Sequence, residues 1–295
     1  MQICCIILNY FGHQDTVSCV RSLAGQDELK RVVIVDNSAD SGERGMLKAA
    51  FDTESQVEIL FPQKNLGFSG GVNFAIANLN KESFDAFLLL NNDTVALPDS
   101  IRCLSKGMDE NGFDMAAPVI YCFPERSELW ARGYFYNRFS GLITHRDTSF
   151  IPGTLFYLSG CCILVHRQVF EKIGMLDASF FMYGEDIEFC YRAFQNGLRY
   201  GIVDQSRIYH KGNASSKNNS LFYEYHLNRC HLLLCDKMFS NKRGRKLSLV
   251  IKVIILAMRA LARSIRYKNL NAISGYKQAI FETAGSGIDS FREKR

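Results

Sequence analysis

Three carboxylates stand within four residues in the segment Tyr183–Arg192, at the start of a helical pattern. Glu185, Asp186 and Glu188 repel one another, and acidic side chains are rarely buried unless they are paired. Such crowding is tolerated at a helix start because the positive end of the helix dipole stabilises negative charges there. The cluster suits a site where one carboxylate is a general base and another holds a substrate hydroxyl or a cation. The acidic first turn of an ordinary surface helix is the alternative.

A second acidic site, Asn91-Asn92-Asp93, follows the apolar run Phe87–Leu90. The run predicts a buried strand that opens into a loop and then a helix. Ligands of open α/β sheets bind outside the carboxyl ends of the strands. A carboxylate beside two amides suits Mg²⁺ or Mn²⁺. A turn is the alternative, because all three residue types favour turns.

Glycines cluster in the segment Asn65–Asn73, between the third predicted strand and its helix. They allow backbone amides to approach a phosphate or a sugar at a helix N-terminus. The dinucleotide fingerprint G-x-G-x-x-G and the Walker A sequence are both absent. A simple cap and turn is the alternative for this segment.

These segments need a framework, and strand and helix patterns alternate along the first half of the chain. Such alternation predicts an α/β fold, a mostly parallel sheet with helices on both faces. The predicted strands are Ile3–Leu8, Val32–Asp36, Val57–Phe61, Phe84–Leu90 and Cys161–Val165. The predicted helices lie near His13–Ala24, Gly45–Phe51, Ser69–Leu79, Gly184–Asn196, Leu221–Phe239 and Leu247–Tyr267, with another starting at Pro98.

Composition limits the class of protein. The 295 residues suffice for one large domain or two small ones. No basic region precedes the apolar run Ile3–Leu8, so no signal peptide is predicted. Lys252 and Arg259 interrupt the longest apolar stretch, Leu247–Ala262, before it reaches the length of a membrane span. We therefore expect a cytoplasmic protein.

The ten cysteines are not arranged as a zinc site, because no C-x-x-C spacing occurs. Cys4-Cys5 and Cys161-Cys162 are adjacent pairs in apolar runs. Each pair is expected to point to opposite faces of a strand. In a reducing cytoplasm we expect buried free thiols.

Charge is divided unevenly along the chain. Residues 1–236 carry a net charge of −6 and residues 237–295 a net charge of +11, within a total of +5. A basic tail on an acidic body indicates an anionic partner for the tail only. No nucleic-acid partner is expected, because the body is acidic and no nucleic-acid-binding motif is present.

Four basic residues of the tail recur at intervals of seven, four and three, so they share one face of a helix. They are Lys252, Arg259, Arg263 and Arg266. A basic amphipathic helix of this kind binds an anionic membrane surface, and we expect that role here. A helix packed on the domain with solvated charges is the alternative.

Taken in order, the segments resemble the inverting family 2 glycosyltransferases of the GT-A fold, in the bacterial rhamnosyltransferase-like branch. The resemblance covers roughly residues 3–240. Its motifs are Leu8-Asn9-Tyr10, Val35-Asp36-Asn37-Ser38, Asn65-Leu66-Gly67-Phe68 with Gly70-Gly71 and Asn73, Leu90-Asn91-Asn92-Asp93, Ser159-Gly160-Cys161-Cys162, Gly184-Glu185-Asp186-Ile187-Glu188 with Arg192, and Tyr209-His210. It implies a Rossmann-like GT-A catalytic domain over residues 1–240 and a basic helical C-terminal extension over residues 241–295.

The resemblance also implies roles. Asp186 matches the catalytic base, Asp93 the last position of the D-x-D-type motif that binds metal and donor diphosphate, and His210 the late histidine of the metal site. Asn91 stands where many members have Asp, which leaves fewer anionic ligands. The implied donor-binding residues are Asn9, Tyr10, Asp36 at the nucleotide base, Asn65, Gly67, Gly71, Asn73, Asn91, Asn92 and Asp93. The implied acceptor or support residues are Gly160, Glu185, Glu188 and Arg192.

The implied enzyme moves rhamnose or a hexose from a dTDP- or UDP-sugar to a hydroxyl of a glycan, using Mn²⁺ or Mg²⁺. Its acceptor is expected to be a lipid-linked oligosaccharide of O-antigen or capsule synthesis, at the inner face of the cell membrane. The aromatic residues expected in the pocket or the core are Tyr134, Phe135, Tyr136, Phe180, Phe181 and Tyr183.

Two other functions fit the same motifs less well. A sugar-nucleotide pyrophosphorylase has a related fold, but it would carry a glycine-rich basic loop where this chain has Asn9–His13, without Lys or Arg. A non-catalytic sugar-nucleotide-binding partner is the other alternative. The retention of both Asp93 and Asp186 argues against it.

Overall fold

The computed structural model describes residues 1–79, 83–124, 127–212 and 219–285, and all structural statements concern these residues. The strands are β1 Ile3–Asn9, β2 Leu29–Asp36, β3 Val57–Leu60, β4 Ala86–Asn91, β5 Thr94–Ala96, β6 Met115–Cys122, β7 Leu129–Ala131, β8 Tyr134–Asn137, β9 Ile143–Thr144, β10 Thr154–Tyr157, β11 Cys162–His166 and β12 Tyr200–His210. The helices are α1 His13–Ser22, α2 Ser41–Phe51, α3 Gly67–Asn78, α4 Ser100–Asn111, α5 Arg167–Ile173, α6 Glu185–Gln195, α7 Leu221–Lys237, α8 Lys242–Tyr267 and α9 Asn271–Gly285.

One mixed sheet runs in the order β3-β2-β1-β4-β11-β6-β12-β5, with β7 beside β6. The neighbours β3, β2, β1 and β4 are parallel, as are β6 and β12. Strand β11 is antiparallel to both β4 and β6. A small antiparallel sheet, β10-β8-β9, lies apart. The predicted α/β fold with a mostly parallel sheet is therefore confirmed.

Both faces of the main sheet are covered by helices, as its apolar strands require. Cys4 packs in a core cluster that includes residues of α3 and α6, whereas Cys5 packs in a second cluster that includes residues of α1 and α4. The opposite-face prediction is thus confirmed for this pair. It is wrong for Cys161 and Cys162, which join the same cluster. The reason is that β11 begins only at Cys162, so strand alternation does not apply to Cys161.

All ten cysteines are free thiols, as predicted. Eight of them are buried, and Cys103 and Cys122 are partly exposed. None of the described helices is both long enough and apolar enough to cross a membrane.

The C-terminal helices pack against α7 through a small apolar cluster of Leu232, Leu256 and Ala279. Helix α9 did not appear among the predicted elements, because its sequence has a weak amphipathic pattern. It packs against both α7 and α8. The helical extension is thus fastened to the last helix of the preceding segment.

The basic face of α8 is turned toward α7. Glu224, almost fully buried on α7, forms ion pairs with Arg259 at 2.8 Å and with Arg263 at 2.6 Å. Lys252 is completely buried, and its Nζ donates a 3.3 Å hydrogen bond to the carbonyl oxygen of His231. Because paired or buried charges are not available to lipid, the prediction that these three side chains contact a membrane is wrong. Arg266 alone of the four predicted residues is exposed.

Candidate active site

A cleft of about 540 Å³ opens where the parallel strands end. Strands β1, β2 and β4 end at Asn9, Asp36 and Asn91, and loops at that edge of an open α/β sheet are the usual ligand site. The cleft brings together most of the predicted site residues. Those that line it are Asn9, Tyr10, Asn65, Gly67, Asn91, Asn92, Asp93, Gly160, Glu185, Asp186 and His210.

Five predicted residues lie outside the lining of the cleft. They are Asp36, Gly71, Asn73, Glu188 and Arg192. Gly71 lies under the cleft floor, where a Cβ atom would come within 3.0 Å of the side chains of Leu8 and Asn37. The other four hold neighbouring segments in place.

Asp36 is buried directly behind Asn9. The side-chain amide of Asn9 donates hydrogen bonds to Asp36 Oδ1 at 3.1 Å and to Glu43 Oε1 at 2.9 Å. Ser38 donates its backbone N–H to Asp36 Oδ1 as well. The second oxygen, Oδ2, is buried and has no hydrogen-bond partner within the described residues. A buried acceptor without a partner is costly, so this atom is suited to accept a hydrogen bond from a ligand.

The same network continues to β4. Thr16 Oγ1 donates to Asn9 Oδ1 at 2.8 Å, and Asn92 Nδ2 donates to Thr16 Oγ1 at 3.0 Å. These side chains are buried. Asn9 and Asn92 are therefore fixed relative to each other before any ligand binds.

Phe181, Met182 and Tyr183 form another wall of the cleft. Two predicted site residues anchor residues 173–176, which lead to this wall, from outside the cleft. Asn73 exchanges two hydrogen bonds with the backbone of Leu176, at 2.8 and 3.2 Å. Arg192 donates to the backbone carbonyl oxygens of residues 173–175 and pairs with Glu188 at 2.7 Å. These residues position the loop instead of lining the cleft.

Gly67 joins this wall to the N-terminus of α3. Its φ is +70°, and a Cβ atom there would collide with the backbone of Phe181. The next residue, Phe68, donates its backbone N–H to the carbonyl oxygen of Phe181 at 2.8 Å. Only glycine permits this approach, which explains the glycine in the Asn65–Asn73 segment.

Asp186 lies at the first turn of α6 with its carboxylate held by two backbone donors. Oδ2 accepts from the N–H of Gly160 at 3.0 Å, and Oδ1 accepts from the N–H of Ile187 at 2.8 Å. Burial raises the pKa of Asp186, and these two hydrogen bonds oppose the rise. The side chain is partly exposed to the cleft.

Glu185, its neighbour, is in a different electrostatic state. Burial, and then the charge of Asp186, raise the pKa of Glu185 to about 8. Its Oε2 atom is buried and has no hydrogen-bond partner within the described part of the chain. The two backbone donors on the Asp186 carboxylate favour the placement of the negative charge of this pair on Asp186.

Asp93 and His210 face each other across the far side of the cleft. Asp93 Oδ1 lies 3.0 Å from His210 Nε2, and both side chains are more than nine-tenths buried. Trp130 packs edge-on against the imidazole, with ring centroids 4.7 Å apart. His210 Nδ1 is buried without a hydrogen-bond partner among the described residues.

The Asp93–His210 pair fits a divalent cation. Two neighbouring ligands of an octahedral ion with bonds of about 2.1 Å lie about 3 Å apart, which is the separation seen here. Within the described residues no group of three or more His, Cys, Asp or Glu side chains could hold a metal. Asp93 and His210 would supply two ligands of such an ion, and substrate phosphates and water would complete the shell, as they do for Mg²⁺.

Sequence reasoning missed three aromatic residues of the cleft. Trp130, Phe222 and Tyr223 line it. The sequence offered one signal for Phe222 and Tyr223, which is their position at the start of a predicted helix. The signal for Trp130 was that it is the only tryptophan of the chain. Among the aromatic residues considered from the sequence, Phe181 and Tyr183 line the cleft, and Tyr136 and Phe180 are fully buried in the core.

Comparison with known proteins agrees with this geometry. Residues 4–174 match Glycosyl transferase family 2. The low-salt glycan biosynthesis hexosyltransferase Agl10 of Haloferax volcanii is 27% identical over 85% of this chain and 80% of its own length. The N-acetylglucosaminyl-diphospho-decaprenol L-rhamnosyltransferase of Mycobacterium tuberculosis is 24% identical over 70% of this chain and 75% of its own length.

Solved structures of GT-A glycosyltransferases share the fold at low sequence identity. The mannosyltransferase PcManGT of Pyrobaculum calidifontis, in complex with GDP-Man and Mn²⁺, gives a TM-score of 0.58 at 11% identity, over 96% of this chain and 87% of that one. GalNAc-T7 with UDP, GalNAc and Mn²⁺ gives 0.58 at 13% identity, over 90% of this chain and only 57% of that one. Because the family match covers more than half of the chain, the protein belongs to glycosyl transferase family 2.

Proposed function

We propose that this glycosyltransferase is inverting and metal-dependent, and that it moves rhamnose or a hexose from a nucleotide-diphosphate donor to a hydroxyl of a glycan acceptor. The observation that carries the proposal is the arrangement of the cleft. A carboxylate held by backbone donors, Asp186, and the Asp93–His210 pair line one cavity. A single displacement needs a base and a group that receives the leaving phosphate within one site.

Asp186 is proposed as the general base. An acceptor hydroxyl is a weak nucleophile, so a positioned carboxylate must take its proton as the attack develops. The hydrogen bonds from Gly160 and Ile187 fix the orientation of the carboxylate. The raised pKa of Asp186 makes it a stronger base than an exposed aspartate. Attack on the face opposite the leaving group would invert the anomeric carbon.

The donor is proposed to lie along the carboxyl ends of β1 to β4. Asn65 and Gly67, which line the cleft at the start of α3, would contact the donor. Asp36 is buried behind Asn9 and does not line the cleft, so a hydrogen bond from the nucleotide base to its unpartnered Oδ2 would require Asn9 to move. A divalent cation held by Asp93 and His210 would neutralise the charge that develops on the leaving nucleoside diphosphate.

The acceptor is proposed to be a lipid-linked glycan of a bacterial surface polysaccharide such as O-antigen or capsule, with dTDP-rhamnose or a UDP-hexose as donor. The supporting observation is that relatives are named for rhamnosyl and hexosyl transfer, one of them to a diphospho-decaprenol carrier. In that setting the enzyme would work in the cytoplasm, at the inner face of the membrane. Family 2 membership argues against the pyrophosphorylase alternative.

A donor screen tests the proposal. The purified protein is incubated with Mn²⁺, a short-chain N-acetylglucosaminyl-diphospho-prenol and, in separate reactions, dTDP-rhamnose, UDP-glucose or UDP-galactose. We expect release of nucleoside diphosphate with one donor and a product whose anomeric configuration, read by NMR, is opposite to that of the donor. Retention of configuration would contradict the inverting mechanism. Donor binding without any release of nucleoside diphosphate would favour the non-catalytic binding partner.

A further inference from the structure

Helix α8 carries a row of exposed apolar side chains on the face that turns away from α7. We define this row as the outer stripe: Leu247, Val250, Ile254, Met258, Leu261 and Ile265, each exposed by between 49% and 69%. Their spacing of three or four residues keeps them on one side of the helix. At about 1.5 Å per residue, the row from Leu247 to Ile265 forms an apolar ridge about 27 Å long.

The inner face of the same helix is firmly held. Ser248, Leu256, Ala260 and Ser264 are buried there, together with the fully buried Lys252. The buried Glu224 on α7 adds two ion pairs to this face. Rotation of α8 to hide the outer stripe would break all of these contacts. The exposure of the stripe is therefore built into the fold.

The charge around the stripe indicates what covers it. Exposed basic residues stand at both ends of α8: Lys242, Arg243 and Lys246 before the stripe, and Arg266 and Lys268 after it. No acidic residue occurs anywhere in residues 238–281. An apolar ridge with positive charge at both ends matches the boundary between anionic lipid headgroups and acyl chains.

A second copy of the chain fits the stripe less well. In a two-fold symmetric contact the same surface faces itself, so the basic ends of two α8 helices would meet each other. Residues 238–281 provide no acid to compensate that repulsion. Like charges placed together across an interface are unfavourable.

We propose that the outer stripe of α8 inserts into the headgroup region of an anionic membrane, while the basic residues at its ends bind the lipid phosphates. The membrane contact is thus made by the outer face of α8 and not by its basic face, which is turned toward α7. It deepens the proposed function and rests on it for one point, the lipid-linked acceptor. Helix α7, to which α8 is fastened, carries Phe222 and Tyr223 of the cleft, so membrane binding would fix the cleft relative to the lipid.

Vesicle co-sedimentation tests the apolar part of the proposal. The variant Met258→Gln/Leu261→Gln keeps two exposed helical positions and removes their apolar character. We expect its binding to vesicles of phosphatidylcholine with phosphatidylglycerol to fall by roughly tenfold or more, since each buried CH₂ contributes to membrane affinity. Met46→Gln/Phe194→Gln is the matched control, because these side chains are also exposed on helices, by 43% and 60%, but on α2 and α6. Equal loss in both variants would overturn the proposal.

The charged part is tested with Arg243→Gln/Lys246→Gln/Arg266→Gln. Each basic residue near an anionic surface strengthens binding about fivefold, so we expect roughly a hundredfold weaker binding. High salt should reproduce this loss. Vesicles of phosphatidylcholine alone should bind the wild type and this variant alike. Unchanged binding of the triple variant to anionic vesicles would overturn the role of the basic ends.

Two further measurements separate the competing outcomes. Sedimentation velocity without lipid shows whether the chain dimerises. If the wild type forms a dimer and does not bind vesicles, and if Met258→Gln/Leu261→Gln dissociates that dimer, the stripe is a contact with a second copy and the proposal is overturned. Release of nucleoside diphosphate from the donor reports on the proposed function independently. Wild-type protein that binds anionic vesicles but transfers no sugar would end the proposed function and leave the membrane face in place.

Discussion

The Oδ2 atom of Asp186 accepts a 3.0 Å hydrogen bond from the backbone N–H of Gly160. This contact joins the first turn of α6 to the loop that precedes β11, at the edge where the central sheet ends. A Cβ atom on residue 160 would lie 3.4 Å from the Cβ and 3.5 Å from the Oδ2 of Asp186. Two motifs that lie 26 residues apart thus fix the position of one carboxylate.

Replacement of Asp186 by Asn should remove most transfer activity while the protein stays folded and binds its donor. The proton of the acceptor hydroxyl would then have no base, and general base catalysis contributes roughly 10²–10⁴-fold. Steady-state kinetics and calorimetric titration with the nucleoside diphosphate provide the two measurements. Asp204→Asn is a control, since Asp204 is half exposed and pairs with Arg132 at the surface. Transfer by Asp186→Asn at more than half of the wild-type rate would rule out the base assignment.

Glu185→Gln should change the pH dependence of stability. Burial and the charge of Asp186 raise the pKa of Glu185 from 4.5 to about 8. The folded state therefore binds more protons than the unfolded state between these two values, so this carboxyl makes wild-type stability fall as pH rises through the window. A Gln side chain stays neutral throughout. We expect the Tm of the wild type to fall more steeply between pH 5 and pH 9, and parallel Tm curves for the two proteins would contradict this assignment.

Asp93→Ala should weaken the Mn²⁺-dependent binding of UDP or dTDP by about tenfold or more, by analogy with the cost of disturbing a metal ligand shell. His210→Gln should act in the same direction, because Asp93 Oδ1 and His210 Nε2 are only 3.0 Å apart. Calorimetric titration with and without Mn²⁺ measures the effect. Asp109→Asn is the control, since Asp109 approaches a histidine too, His166 at 3.9 Å, but at the surface. Full Mn²⁺-dependent affinity in Asp93→Ala would move the metal site elsewhere.

Asn73 does not line the cleft, but Asn73→Ala should make the wall of the cleft more mobile. Both side-chain groups of Asn73 bind the backbone of Leu176, and the loss of such hydrogen bonds costs about 1–3 kcal/mol. We expect KM to rise more than kcat falls, and amide exchange in residues 173–183 to accelerate. Asn78→Ala is the matched control on the same helix, because Asn78 is exposed and its side chain donates to the carbonyl oxygen of Phe74 in its own helix. Equal exchange rates in the two variants would show that Asn73 does not hold the loop.

Glu224→Ala should destabilise the protein by about 3 kcal/mol, since breaking a buried ion pair leaves its partners uncompensated. The side chain of Glu224 is 1% exposed and pairs with both Arg259 and Arg263. Urea unfolding measures the loss. The control is Glu110→Ala, which breaks an exposed pair with Lys106 and should cost less than about 1 kcal/mol. A loss in Glu224→Ala as small as in the control would mean that these ion pairs do not fasten α8 to α7.

The sequence alone determined the five predicted strands, the seven predicted helices and the place of the chemistry along the chain, but not β5 to β10, β12, α5 or α9. Apolar runs such as Phe87–Leu90 are local signals, and the predicted strands formed with ends shifted by at most three residues. Asp93 after one strand and Asp186 at a helix start followed from the same local patterns. Parallel strands end at one edge of a sheet, so convergence of Asn9 and Asn91 at the cleft was predictable as well.

Only the tertiary structure decided which way each side chain faces when two elements meet. The sequence predicted that the basic face of α8 is exposed and binds a membrane. In the structure, Arg259 and Arg263 pair with the buried carboxylate of Glu224 on α7, so the outer stripe is the face that is exposed. Asn73 was assigned to the donor, whereas its partner Leu176 lies 103 residues away. Likewise, the pattern of residues 185–188 did not show that burial raises the pKa of Glu185 to about 8, whereas backbone N–H groups oppose the rise of the pKa of Asp186. That difference depends on the distant N–H of Gly160, because hydrogen bonding and burial are properties of the packed chain and not of the local sequence.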